Sequence, residues 1–247
     1  ASFLAEISGL LLGLLLCRDI WRGRDWCNWS RVFDRHLVLR MVNVNRDILL
    51  RTLMLQCIFV SFLFVAADFG EVELAATHVL EQFLMVTAFA LDGFAFAAET
   101  LVGQAIGARS RVGLRQSVLM SSYCAVGIAL LLTLVIALFG TWTIELLSKS
   151  EEVRQTAVKY LPFLLLMPIF GVASWMLDGI FIGATQTRDM RNMMAISLVI
   201  YGIALISLVP IFDLFGLWTA LLISLIARGV TLGLCYPKLE KQILADN

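Results

Sequence analysis

Charge is what this sequence has least of. Only 15% of its 247 residues are charged, against roughly 25% in an ordinary soluble domain, and 60% are hydrophobic. A water-soluble globule is thereby excluded. Lys plus Arg and Asp plus Glu number 19 each, which leaves no net basic field to hold nucleic acid. Histidine is limited to His36 and His78, and neither a Gly-rich phosphate loop nor a zinc-ligand spacing occurs. A soluble enzyme's constellations have little to be built from, so no enzymatic activity, metal or cofactor is expected. Cys17, Cys27, Cys57, Cys124 and Cys235 are odd in number and form no C-x-x-C pair. They read as small apolar residues, not as a disulfide framework.

What the chain does contain is long apolar runs. A hydrocarbon core about 30 Å thick takes about 20 apolar residues in helix. Seven runs stand out, at 3–17, 47–67, 74–100, 116–140, 156–183, 192–212 and 214–236. The fold expected is all-α, a polytopic bundle of transmembrane helices in a lipid bilayer. The first run is too short to span; with Glu6 and no basic n-region it does not read as a signal peptide. It is expected to be the end of a helix that begins upstream, with 18–46 a basic linker and 47–247 the main transmembrane lobe. Pro162 and Pro168, followed by Gly171, predict a bend in the fifth run.

The distribution of basic residues predicts orientation, because cytoplasmic loops hold the Lys and Arg. Seven arginines lie in 18–46, Arg109, Arg111 and Arg115 follow the third run, Arg188 and Arg191 follow the fifth, and Lys238 and Lys241 lie in the tail. The intervening breaks are acidic or mixed. The long first loop and the C-terminus are therefore expected in the cytoplasm. Trp21, Trp26 and Trp29 sit among the loop arginines, which suits either an amphipathic helix at headgroup level or a plain basic linker.

Ionisable groups inside a membrane are costly and so are functional candidates. Glu81, Asp92 and Glu99 are separated by 11 and 7 residues. At about 100° per residue they fall within about 20° of one another, on one narrow face. That face is expected to point into the protein or a water-filled cavity. Either Glu81 and Glu99 are solvated at the two interfaces and Asp92 is a hydrogen-bonded packing residue beside Gly93, or Asp92 sits in the cavity and relays a proton or contacts a cationic substrate. Leu91-Asp92-Gly93 is echoed at Leu177-Asp178-Gly179, a faint internal repeat of the kind secondary transporters carry. Arg51 is expected about one turn into its helix, either snorkelling to the headgroups or pairing with Glu99 or Asp178 as a latch.

Three separated blocks carry a family resemblance. They are Asn45-Arg46-Asp47-Ile48 with Leu50-Arg51, then Ala90-Leu91-Asp92-Gly93-Phe94-Ala95 with Glu99, Gly103-Gln104-Ala105 and Gly107-Ala108-Arg109, and finally Leu177-Asp178-Gly179 with Phe181-Ile182-Gly183-Ala184-Thr185 and Met190-Arg191-Asn192. From about 45 to 240 the chain resembles the multidrug and toxic compound extrusion (MATE) transporters, and within them the DinF (DNA-damage-inducible protein F) branch. The resemblance implies twelve helices in two six-helix lobes, of which this chain would hold the end of helix six and the C-terminal lobe. It implies secondary active antiport in a bacterial inner membrane, exporting organic cations or other amphipathic toxic compounds in exchange for H⁺ or Na⁺. The N-terminal lobe would then be this chain's partner. Matching positions extend the ion or substrate pathway to Arg51, Asp92, Glu99 and Asp178. Where a NorM-like member has an acid in the middle of helix seven, this chain offers Gln56. A retinal protein is excluded because 214–236 lacks lysine. A lipid-linked polysaccharide flippase would carry more intramembrane basic residues than Arg51 and Arg228, and a structural membrane subunit is the other alternative.

Overall fold

The computed structural model of the protein describes residues 2–17 and 33–245. The three loop tryptophans lie outside the described residues. The chain divides into two units, Ala1–Asn45 and Arg46–Asn247. The first contains α1 (Ser2–Leu16) and the opening turns of α2 (Arg35–Ala67). The Asp34 carboxylate accepts from the His36 N–H at 2.8 Å and so caps α2. This helix thus begins 12 residues ahead of the expected position 47. Its first three turns are rich in Arg and sit below any hydropathy threshold, yet contain nothing that breaks a helix.

The second unit holds the rest of α2 followed by α3 (Glu71–Gly107), α4 (Arg111–Leu147), α5 (Glu151–Gly183) and α6 (Thr187–Ala245). Each is longer than the apolar run that predicts it, because polar turns continue the helix past the hydrocarbon. α6 is interrupted at Asp213, whose φ is 52° and ψ −132°. Its two arms double back, since the Ser197 hydroxyl donates to the Ser224 carbonyl at 2.7 Å and Lys238 meets Asp189 at 3.0 Å. Gly216 makes the tight return possible, because a Cβ there would strike the Leu208 carbonyl. The expected spans 192–212 and 214–236 are therefore the two arms of one hairpin. α5 carries Pro162 and Pro168 within one continuous helix. The Thr133 hydroxyl of α4 donates to the Leu165 carbonyl at 3.3 Å, beside the carbonyl that Pro168 deprives of its N–H; membrane helices tolerate proline with such support.

α3 and α5 make the most extensive contact between helices, for a reason visible in the sequence. Gly179 and Gly183 form a small-x-x-x-small pair, the spacing that lets membrane helices approach closely. A Cβ on the first would collide with the Ala95 carbonyl, and one on the second with the Glu99 carbonyl. Both helices end in the same turn. Arg109 and Thr185 adopt φ of 53° and 55°, and the Ser110 and Gln186 amides donate to Ala105 and Phe181, each at 2.9 Å. The faint sequence echo thus corresponds to a repeated helix–turn unit.

Burial divides into two hydrophobic clusters. One is built around Phe62, Leu80, Leu164, Tyr201 and Trp218, the other around Leu91, Leu114, Phe181, Met190 and Leu232. Along α2 the change of cluster falls between Ile48 and Met54, along α3 between Leu84 and Leu91, and along the second arm of α6 between Leu225 and Leu232. Charged residues occupy that boundary.

Candidate functional site

Arg51 lies between Ile48 and Met54, Asp92 adjoins Leu91, and Arg228 lies between Leu225 and Leu232, while Ser174 and Asp178 face them from α5. An Arg51 guanidinium N–H donates to Asp178 Oδ2. Arg228 Nη2 is 3.7 Å from that same oxygen and donates to the Ser174 hydroxyl at 2.9 Å. Ser174 in turn donates to the Gly171 carbonyl at 2.8 Å. Asp178 and Arg228 are buried, and the Arg51 side chain retains 16% exposure. Asp92, half-buried, interacts electrostatically with Arg51, Asp178 and Arg228. Two cations and two carboxylates meet here, a formally neutral group in a surrounding where an isolated ion is heavily penalised. Three of its buried atoms, Arg51 Nε, Asp178 Oδ1 and Arg228 Nε, have no partner among the described residues.

Asp178 and Asp92 play different parts in this arrangement. Both guanidiniums end on one Asp178 oxygen, so that carboxylate is committed to holding α2, α5 and α6 together. Asp92 makes no ion pair of its own among the described residues and is more accessible. Of the two carboxylates it is the one that no arginine holds in an ion pair among the described residues.

The structure brings together Arg51, Asp92 and Asp178 from the predicted set. Of the two partners expected for Arg51, Asp178 is the one it meets. The snorkelling expectation for Arg51 is corrected, because the early start of α2 places this residue well inside the helix and its guanidinium turns to a buried carboxylate. Glu81 lies elsewhere on α3, with His78 Nδ1 at 3.3 Å. Glu99 is half-buried near the end of α3, its backbone against Gly183. Gln56 sits on an exposed face of α2 with Leu53, Cys57 and Val60. The stripe predicted from Glu81 to Glu99 thus shares an azimuth and not a neighbourhood.

Arg228 and Ser174 join the site without having been predicted for it. A lone arginine in the apolar run 214–236 was the available signal, since intramembrane charge marks function by default. A second pair was also unforeseen. Arg191 Nη1 reaches Asp47 Oδ1 at 2.6 Å, and Asp47 is 1% exposed. Asp47 is one turn from Arg51 on the same face of α2. These two ion pairs, with the burial of Ile58 and Phe62 further along the helix, fix how α2 presents Arg51.

Comparison with known proteins supplies the context. The MatE family profile matches residues 48–208. The chain is 37% identical to the DNA damage-inducible protein F of Escherichia coli (strain K12) over 94% of its own length and 50% of that protein's. Its fold is similar to the Vibrio cholerae MATE transporter VcmN in the bent form, with a TM-score of 0.81 at 19% identity, covering 94% of this chain and 54% of that one. A MOP superfamily transporter from Pyrococcus furiosus superposes with a TM-score of 0.73 at 15% identity, covering 80% of this chain and 44% of that one. The chain therefore spans about half the length of the curated relative it matches.

Proposed function

The chain belongs to the MatE family, and on that premise we propose that it supplies the C-terminal six-helix lobe of a secondary active efflux transporter. In this reading the whole protein is an antiporter in a bacterial inner membrane, with the C-terminus of this chain in the cytoplasm. It exports organic cations or other amphipathic toxic compounds in exchange for inward H⁺ or Na⁺, through a cavity completed by an N-terminal lobe. The observation that carries the reading is the neutral charged group at the boundary of the two cores, with one carboxylate, Asp92, left accessible.

Exchange follows from competition for that carboxylate. A coupling ion and a cationic substrate cannot both hold Asp92, so each displaces the other. Neutralising Asp92 also leaves Arg51, Arg228 and Asp178 with a net positive charge. Arg51 is the member that can respond, because its side chain retains exposure whereas Arg228 is buried. Ion occupancy at Asp92 thereby weakens the hold of α2 on the rest of the lobe, and the Arg51–Asp178 pair acts as the latch. Efflux of a fluorescent organic cation from vesicles containing the two-lobe protein, with pH and Na⁺ gradients imposed separately, tests this. One gradient is expected to drive efflux, and efflux indifferent to both would contradict the proposal.

A further inference from the structure

A groove along α4 takes no part in the transport reading. Arg111, Arg115, Val118, Ser122 and Val126 follow at spacings of four, three, four and four residues, so they form one stripe on one helix face. The apolar part of that stripe, with Met176 of α5 and Gly233 and Tyr236 of α6, lines an open crevice of about 340 Å³. From Arg115 to Val126 the stripe rises about 16 Å at 1.5 Å per residue. That matches one leaflet of a hydrocarbon core about 30 Å thick. Gly233 lies on the crevice wall beside open space, where a Cβ would meet only Leu177 Cδ1, at 3.9 Å.

The polar end of the groove carries charge. Arg111 Nε and Arg115 Nε converge on Glu240 Oε1 at 3.3 and 2.6 Å, and both arginine side chains are more than half exposed. Two cations thus face one anion, and the N-terminus of α4, capped by the Ser110 hydroxyl accepting from the Gly113 N–H at 3.0 Å, adds its own positive end. An apolar channel one leaflet long that ends in net positive charge is complementary to one kind of molecule.

We infer that this groove binds a single anionic phospholipid of the cytoplasmic leaflet, with an acyl chain between α4, α5 and the second arm of α6 and the phosphate on Arg111 and Arg115. Glu240 competes with the phosphate for the same guanidiniums. The inference rests on the membrane orientation proposed above, but it is tested by binding alone, so its failure is distinguishable from a failure of transport. Native mass spectrometry of the purified chain in micelles doped with phosphatidylglycerol or phosphatidylcholine reads it directly. Wild type should retain one phosphatidylglycerol with about fivefold preference, the effect of roughly one net basic residue at headgroup level. Arg111→Gln with Arg115→Gln should abolish the preference, and Gly233→Leu should weaken binding of both lipids. Glu240→Gln should strengthen phosphatidylglycerol binding by about a further fivefold, because both guanidiniums are then free. Circular dichroism confirms that each variant is folded. Equal retention of the two lipids by wild type, or a preference that survives the double substitution in a folded protein, overturns the site.

Discussion

Asp178→Asn removes the carboxylate on which two guanidiniums end. Arg51 then has no ion-pair partner among the described residues, and buried Arg228 has only the Ser174 hydroxyl, at 2.9 Å. Removing one partner from a buried ion pair costs about 3–5 kcal/mol, because the charge left behind remains desolvated. The single variant should lose about that much stability. Adding Arg228→Met removes one of the stranded cations and leaves Arg51 balanced by Asp92, so the double variant should be more stable than the sum of the two single losses by about 2 kcal/mol. Unfolding of the four proteins in mixed micelles, followed by circular dichroism against SDS mole fraction, completes the cycle. Losses that add to within about 0.5 kcal/mol would mean that Asp178 and Arg228 are not coupled, and the reasoning from charge balance would be wrong.

Substituting Gly179 or Gly183 by Leu should separate α3 from α5 and cost about 3 kcal/mol or more, whereas Gly93→Ala, where a Cβ meets nothing within 4 Å, should leave the unfolding midpoint essentially unchanged. Asp47→Asn breaks the 2.6 Å contact with Arg191 and should cost about 3 kcal/mol, which the charge exchange Asp47→Arg with Arg191→Asp should partly restore in the same assay. Arg51→Ala should accelerate opening of the lobe, read by spin-label distances between α2 and α5 in the two-lobe protein; unchanged opening and efflux rates would eliminate the latch.

Apolar runs make the helices legible, because a membrane span must be predominantly apolar over about 20 residues and the hydropathy of each run says so. The two arms of α6 were separable on the single polar break at Asp213. Helix starts were less legible: the Arg-rich opening of α2 is helical because Asp34 caps it, and capping leaves little trace in hydropathy. The pairing of Arg51 was open between two carboxylates 79 residues apart in sequence, and periodicity on one helix cannot choose between groups on different helices. Arg228 shows the same limit. Its intramembrane charge demanded a partner, but only the packing of α5 against α6 identifies Ser174 and Asp178. The Glu81–Asp92–Glu99 stripe shows the converse, since a shared azimuth along some 27 Å of helix passes three different sets of neighbours.

Asp92 bears the central claim, so the most direct measurement is gradient-driven efflux by the Asp92→Asn variant of the two-lobe protein, beside Glu81→Gln. Arg51, Asp178 and Arg228 remain in place around the substituted residue. The account predicts that Asp92→Asn still folds, with an unfolding midpoint below that of wild type because the group loses its charge balance, and abolishes coupled efflux, while Glu81→Gln retains most activity. Efflux at the wild-type rate with an unchanged pH profile in Asp92→Asn would leave this carboxylate a packing role only and contradict the account.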